Sequence, residues 1–406
     1  MKKVELLAPA GNFEKLEMAF HYGADAVFLG GKEFSLRAGG HNFDRDELVE
    51  AVKYAHERNK KVWVALNIIP HNDEMESLPE YIQFLEKEAS VDGVIVADLG
   101  VLEMVKENSN LHISASTQSS NTNWRSVKMW QEMGASRVVL AREVSLENIK
   151  EIRKKVPDIE IEVFIHGAMC MSVSGRCLLS NYMTGRDANR GDCAQSCRWK
   201  YSVVEEDENG NKKLVDPNEE ATHVFSSKDL CTIEFINEIL DAGVNSLKIE
   251  GRMKGIYYVA TTVKVYRDAI DNYYSGAYKY NENWLKELET ISHRKYTSGF
   301  YFKKPDSESQ NYNNRNSYSQ THKLVAKIAE KISENEYILE VRNKIFTGEK
   351  LEVVTNRGNP KIITLPDMEI TKKGITGIVY DANPNSTVKV KIDADLNRLD
   401  MIRRVL

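Results

Sequence analysis

From residue 4 to about residue 275 the chain alternates short β-branched apolar runs with longer stretches that are apolar on one face only. Apolar positions that recur at every second residue predict strands, and those that recur three and four residues apart predict helices. Eight strands are predicted, over residues 4–8, 26–29, 62–66, 93–97, 112–115, 137–140, 161–165 and 246–249. Between them lie helical patterns such as DRDELVEAVKYAHERN and NTNWRSVKMWQEMG. The second sets Trp124, Val127 and Met133 at helical spacing, with Gly134 placed to end the helix. Eight alternating βα units predict a closed (β/α)8, TIM-like barrel. An open nucleotide-binding sheet is disfavoured because the first turn, APAGN, lacks the Gly-x-Gly-x-x-Gly phosphate fingerprint.

In such a barrel the chemistry sits where strands end and the following loops begin. Those positions are polar here, with Asn67, Asp98, Gln118, Arg142, His166, Glu250 and Arg252 among them, whereas the strand interiors read as nearly all apolar. One connection breaks the rhythm. After the seventh strand an insertion over about 167–228 precedes a helix expected to begin near Asp229, with Cys231 at its start. Part of the insertion, YSVVEEDENGNKKLVD, predicts a β-hairpin turning at Asn209 and Gly210. The barrel is assigned to 1–290. A polar linker follows over 291–320, and short alternating strands over 321–406 predict a small C-terminal β-barrel.

The composition of the 406 residues, 42% hydrophobic and 28% charged, is that of a globular protein, and the length suggests more than one domain. The apolar stretch at the start is short and interrupted by Glu5, so neither a signal peptide nor a membrane span is expected, and the location is read as cytoplasmic. A net charge of −5 excludes a uniformly basic nucleic-acid binder and leaves room for a local basic surface. His293, Arg294, Lys295, Lys303 and Lys304 around Tyr296, Phe300, Tyr301 and Phe302 mix cations with stacking rings, as RNA surfaces do.

Four of the five cysteines fall within 28 residues, in HGAMCMSVSGRCLLSNYMTGRDANRGDCAQSC. The spacing is Cys-x6-Cys, then fifteen residues, then Cys-x3-Cys. Thiolates are soft ligands, and four of them complete either a zinc site or an iron–sulfur cluster. The wide first spacing favours a four-iron cluster over structural zinc. Cys231, among apolar neighbours, reads as a buried small hydrophobe, with replacement of Cys197 as the fourth ligand as its rival role.

EVFIHGAMCMSVSGRCLLS resembles the signature of the collagenase-like peptidase family, a group of peptidases of unassigned mechanism. ELLAPAGN, NRGDCAQSCRWKY, SLKIEGRMK and RKYTSGF extend the resemblance over nearly the whole chain. Members sharing the full pattern include bacterial proteins that hydroxylate carbon 5 of the wobble uridine of tRNA, depend on prephenate and carry an iron–sulfur cluster. The resemblance implies Cys170, Cys177, Cys193 and Cys197 as ligands of a 4Fe-4S cluster. It implies tRNA and prephenate as partners. Prephenate is a dicarboxylate, so Arg142 and Arg252 are assigned to it, with Gln118 and Asn67 beside them as substrate-binding residues. His166 is the candidate acid–base group, with Glu250 as a second catalytic candidate. Arg294, Lys295, Tyr296, Lys303 and Lys304 are assigned to RNA. The alternatives are a peptidase without a cluster, in which Cys170 would pair with His166, and a zinc-stabilised RNA-binding module without catalysis. No His-Glu-x-x-His helix or Gly-x-Ser-x-Gly elbow supports other peptidase chemistries.

Overall fold

The apolar runs become strands where their alternation places them. A computed structural model describes residues 3–35, 42–199, 201, 204–214, 226–304, 318–372 and 375–406. Parallel strands β1 (Glu5–Pro9), β2 (Ala26–Leu29), β3 (Lys61–Leu66), β4 (Gly93–Val96), β5 (His112–Ala115), β6 (Arg137–Val139) and β7 (Glu160–Ala168) pair in sequence order. A hairpin, β8 (Val204–Glu206) and β9 (Lys212–Leu214), turns at the predicted Asn209 and Gly210, where Asp207 gathers the loop amides of Asn209 and Asn211. Strand β10 (Asp229–Cys231) follows, and then β11 (Ser246–Ile249), which pairs with both β1 and β7 and closes the barrel.

The described residues form two compact units. The first holds Met1–Leu16, Asp25–Met253 and Arg294–Tyr318, and so contains every barrel strand; the second holds Glu17–Ala24, Lys254–His293 and Ser319–Leu406. The helix after the eighth barrel strand, Ile256–Tyr274, thus groups with the C-terminal strands. Those strands form a curled antiparallel sheet of eight around a core that includes Val325, Tyr337, Leu351 and Val388. Arg403 ties sheet to helices within this unit: it forks onto Glu287 at 2.6 and 2.9 Å, meets Glu352 at 2.8 Å and donates to the Tyr257 hydroxyl at 3.1 Å. Among the described residues no helix is long and apolar enough to cross a membrane.

Two expectations are corrected. The segment at Asp229 is strand β10 rather than the start of a helix, because tertiary pairing overrides its local preference. It runs antiparallel to the end of β7, and the Asp229 carboxylate accepts from the Arg294 backbone and side chain. Likewise residues 294–304, expected within a linker, are built into the barrel unit. Strand β12 (Tyr296–Thr297) adds parallel to β10, and the Tyr301 hydroxyl, inside the core, donates to Phe164 O at 2.6 Å.

The barrel interior also departs from the apolar expectation. Leu7, Ala26, Phe28, Trp63 and Ile95 form one buried cluster. Beside it lie three buried charges, Arg137 on β6, Glu162 on β7 and Lys248 on β11. Lys248 Nζ donates to one Glu162 oxygen at 2.8 Å and Arg137 to the other at 3.1 Å. Arg137 also reaches Glu5 at 2.6 Å and Glu160 at 2.7 Å, so each charge has a partner of opposite sign. The aromatic rings take part: Arg137 sits over Trp63 at 4.3 Å and Lys248 over Phe28 at 4.5 Å. Burial pushes the Glu162 carboxyl up in pKa, but the charges of Lys248 and Arg137, with hydrogen bonds from Lys248 and Ser246, more than offset this and hold it below the ordinary value.

Glu162→Ala strands two buried cations and is expected to cost about 3–5 kcal/mol, read as a lower urea midpoint near neutral pH. Since the folded carboxyl titrates below its unfolded value, its contribution is complete above the unfolded pKa and is lost as pH falls through the folded one. The gap between parent and variant should therefore shrink in acid.

Candidate active site

Strand β7 is nine residues long, and its two halves have different partners. The first half pairs with β6 and β11 inside the barrel; the second runs past the rim and pairs with β10. The changeover falls at His166, where the β11 register shifts between Lys248 and Ile249. Gly167 makes it possible. Its φ is +114°, and a Cβ there would collide with the Glu250 backbone oxygen. The strand leads directly into the cysteine loop.

His166 is buried at 1% exposure, its ring 5.4 Å from that of Tyr296, and its backbone oxygen accepts from Glu250 N at 2.9 Å. Arg142 and Glu250 come together at 3.6 Å. The Arg142 guanidinium lies 3.7 Å from the centroid of the Phe164 ring, so Phe164 separates this rim pair from the charges deeper in the barrel. Arg252 has separate surroundings. It is buried, hydrogen-bonds Asn42, and packs on Gly30 so closely that a Cβ there would strike its guanidinium. Its backbone oxygen accepts from Lys15 Nζ at 3.2 Å. Asn67 is half-buried, and Asp98 is a helix cap, accepting from Gly100 N and Val101 N.

The loops after β5, β6 and β7 hold further polar groups, of which the sequence reading named only Gln118. Gln118 Oε1, both amide atoms of Asn121, Glu143 Oε2 and Ser174 Oγ are buried and have no hydrogen-bond partner within the protein. Ser174, at φ +51° in the cysteine loop, donates its backbone N–H to the other Glu143 oxygen at 2.9 Å, and Asn121 O accepts from Ala141 N at 3.0 Å. Such groups need water or a ligand to complete them. Only Gln118 carried a sequence signal, its position at a strand end.

Cys170 and Cys193 are exposed, Cys177 and Cys197 are half-buried, and Cys231 is buried on β10 opposite His166. Cys197 shows that the first four share one neighbourhood. Burial raises its pKa first, then the charge of Cys170, with Cys193 and Cys177 adding to the rise and Arg198 opposing it. Two sulfurs already accept backbone hydrogen bonds: Leu179 N–H points to Cys177 Sγ at 3.3 Å and Gln195 N–H to Cys193 Sγ at 3.4 Å. Donors of this kind stabilise thiolate ligands and tune a bound metal. Four free thiols on one loop, two of them already accepting such bonds, fit a cationic metal centre. Among the described residues no three His, Cys, Asp or Glu groups are gathered tightly enough to hold a single ion. Cys170 Sγ lies 3.0 Å from Ser172 Oγ on the surface, while His166 is inside the barrel rim.

Of the residues assigned to RNA, Lys295, Lys303 and Lys304 are exposed and Tyr296 is half-buried. Arg294 is a correction: it is 1% exposed and forks onto Asp229 at 2.7 and 3.0 Å, so its guanidinium holds β10 instead of meeting a phosphate.

A (β/α)8 barrel with a thiol-rich loop on its rim and a C-terminal antiparallel sheet defines a known class. The chain matches the model of peptidase family U32 over residues 11–311 and that of the family's C-terminal domain over 320–403, and it belongs to this family. It is 41% identical to a Bacillus subtilis protein named tRNA hydroxylation protein P1, over 99% of this chain and 95% of that one. It is 37% identical to the Escherichia coli tRNA hydroxylation protein P, over 99% of this chain and 97% of the relative. An uncharacterized protease of Methanocaldococcus jannaschii is 43% identical over 75% of this chain and 74% of its own length.

Gly167→Ala would force a side chain into a left-handed backbone against Glu250, and a loss of more than about 1 kcal/mol is expected. Limited proteolysis should then cut within residues 170–199 faster than in the parent.

Proposed function

We propose that this chain is an RNA-modifying enzyme that hydroxylates carbon 5 of the wobble uridine of tRNA, using an iron–sulfur cluster and requiring prephenate. Two relatives named for tRNA hydroxylation, similar over 99% of this chain, support the reaction class. The observation that carries the reading is the set of four free thiols, Cys170, Cys177, Cys193 and Cys197, on the loop leaving the barrel rim, with backbone N–H groups pointing at two of the sulfurs. These four would hold a 4Fe-4S cluster, and electron transfer is the chemistry it would supply there.

The chain's own residues have separable tasks. Arg142 and Arg252 are the carboxylate-binding candidates for prephenate, Arg142 stacked on Phe164 and Arg252 wedged against Gly30. Glu250 holds the Arg142 guanidinium in place. His166, buried at the mouth, is the group that can hold or pass a proton when carbon 5 loses its hydrogen. Gln118 and Asn67 bind substrate, and the Gln118 carbonyl is one of the buried acceptors awaiting a donor. Lys295, Lys303 and Lys304 meet RNA phosphates, the location is the cytoplasm, and the barrel unit is the catalytic domain.

Cys170→Ala, Cys177→Ala, Cys193→Ala and Cys197→Ala should each abolish iron and labile sulfide in anaerobically purified protein, whereas Cys231→Ala should keep most of both. Bleaching by Cys231→Ala with retention in Cys197→Ala would change the ligand set. A colourless, iron-free parent would favour the peptidase.

Arg142→Ala and Arg252→Ala should each weaken prephenate dependence by about 2–3 kcal/mol, measured as half-saturation of hydroxylation. An unchanged midpoint in both variants would move the carboxylate site elsewhere on the rim.

A further inference from the structure

The cysteine loop keeps large apolar side chains out of the core. Leu178 is 74% exposed, Tyr182 86% and Trp199 43%, and all three lie between Cys177 and residue 200. Leu178 and Tyr182 are one helical turn apart, joined by Tyr182 N to Leu178 O at 2.8 Å, so they share a face of the short helix Leu179–Thr184. Ser180 faces inward. It is 1% exposed, donates to Arg186 O at 2.8 Å and accepts from Ala194 N at 2.9 Å. The same helix packs against the turn Ser196–Arg198, which carries Trp199 at its end. The two exposed rings therefore stand on one small scaffold, stitched by Ser180, in the loop that also carries the four thiols.

The charge of this scaffold differs from that of the chain. The net charge of the whole is −5, yet the loop carries Arg176, Arg186, Arg190, Arg198 and Lys200 against only Asp187 and Asp192. Arg190 is anchored to Glu74 at 2.8 Å on both oxygens and Arg186 to Asp192 at 2.7 Å; Arg176 is exposed. Exposed rings set among guanidinium groups suit an unpaired nucleic-acid strand, whose bases stack on the rings while its phosphates meet the cations. A duplex hides its base faces and cannot use the rings.

We infer that the cysteine loop is the docking platform for a single-stranded RNA loop, with Tyr182 and Trp199 as its base-stacking residues and Arg176 as a phosphate contact. This rests on the RNA-modifying reading and adds to it the surface on which the RNA loop lies. The platform then does two jobs with one fold, carrying the four thiols and presenting the two rings to unpaired bases.

The test measures binding of an unmodified tRNA transcript to the full-length protein across a salt titration. Tyr182→Ala and Trp199→Ala should each weaken binding about tenfold or more without altering the salt slope. Tyr182→Phe and Trp199→Phe should bind as the parent does, since a ring suffices for stacking, and circular dichroism should be unchanged in all four. Arg176→Ala should reduce the slope by about 0.7, the value of one phosphate contact on a single strand. A fully paired RNA of equal length should not compete. If the parent binds the transcript and both alanine variants bind equally well, the platform is wrong and the RNA-modifying reading survives. If the parent binds no transcript at low salt, both fall. A parent dimer that dissociates in the alanine variants would assign the rings to self-association and overturn the inference.

Discussion

Glu162 is the interaction on which the rest of the barrel depends. It is buried as a carboxylate between Lys248 of β11 and Arg137 of β6, and Arg137 continues to Glu5 of β1. These strands flank the point where the sheet closes on itself, so the charges act as a stitch across the seam. Buried ion pairs add little net stability but heavily penalise any arrangement that separates them. That penalty fixes the register of β7 against β11. From the fixed register follow the placement of Phe164, the turn of direction at His166 and Gly167, and the exit of the cysteine loop at the rim.

Much of this was legible in the chain because barrel strands are short, buried on both faces and interrupted by amphipathic helices. All eight predicted strands form, within a few residues of their expected ends. That four of the five cysteines would share one loop was legible because their spacing alone confines them to 28 residues after the seventh strand. The buried charges were not. Glu160 and Glu162 alternate with apolar neighbours in EIEVF, as do residues at a half-exposed strand, and the pattern does not say which face is the solvent. Lys248, between Leu247 and Ile249 in a strand otherwise apolar, was the available clue that a charge pointed inward.

Arg294 shows the opposite failure. Beside Lys295 and Tyr296 it reads as part of a basic, aromatic surface, but its partner Asp229 is 65 residues away in sequence and only the fold brings them together. The same pairing turns β10 and β12 into strands, where local preference indicated a helix and a linker. Removing Arg294 from the basic surface leaves lysines on residues 294–304 and arginines on the cysteine loop, both within the barrel unit. On the proposed reading, RNA recognition and metal binding would share this one unit, as suits an enzyme acting on a single base.

The central claim is that the thiol-rich rim performs an oxidation on tRNA. The most direct measurement is nucleoside mass spectrometry of tRNA from bacteria that lack uridine hydroxylation and express either the parent chain or its Cys170→Ala variant. The account predicts a uridine heavier by one oxygen atom with the parent and none with the variant. Unmodified uridine in the presence of folded, iron-loaded parent protein and prephenate would contradict it.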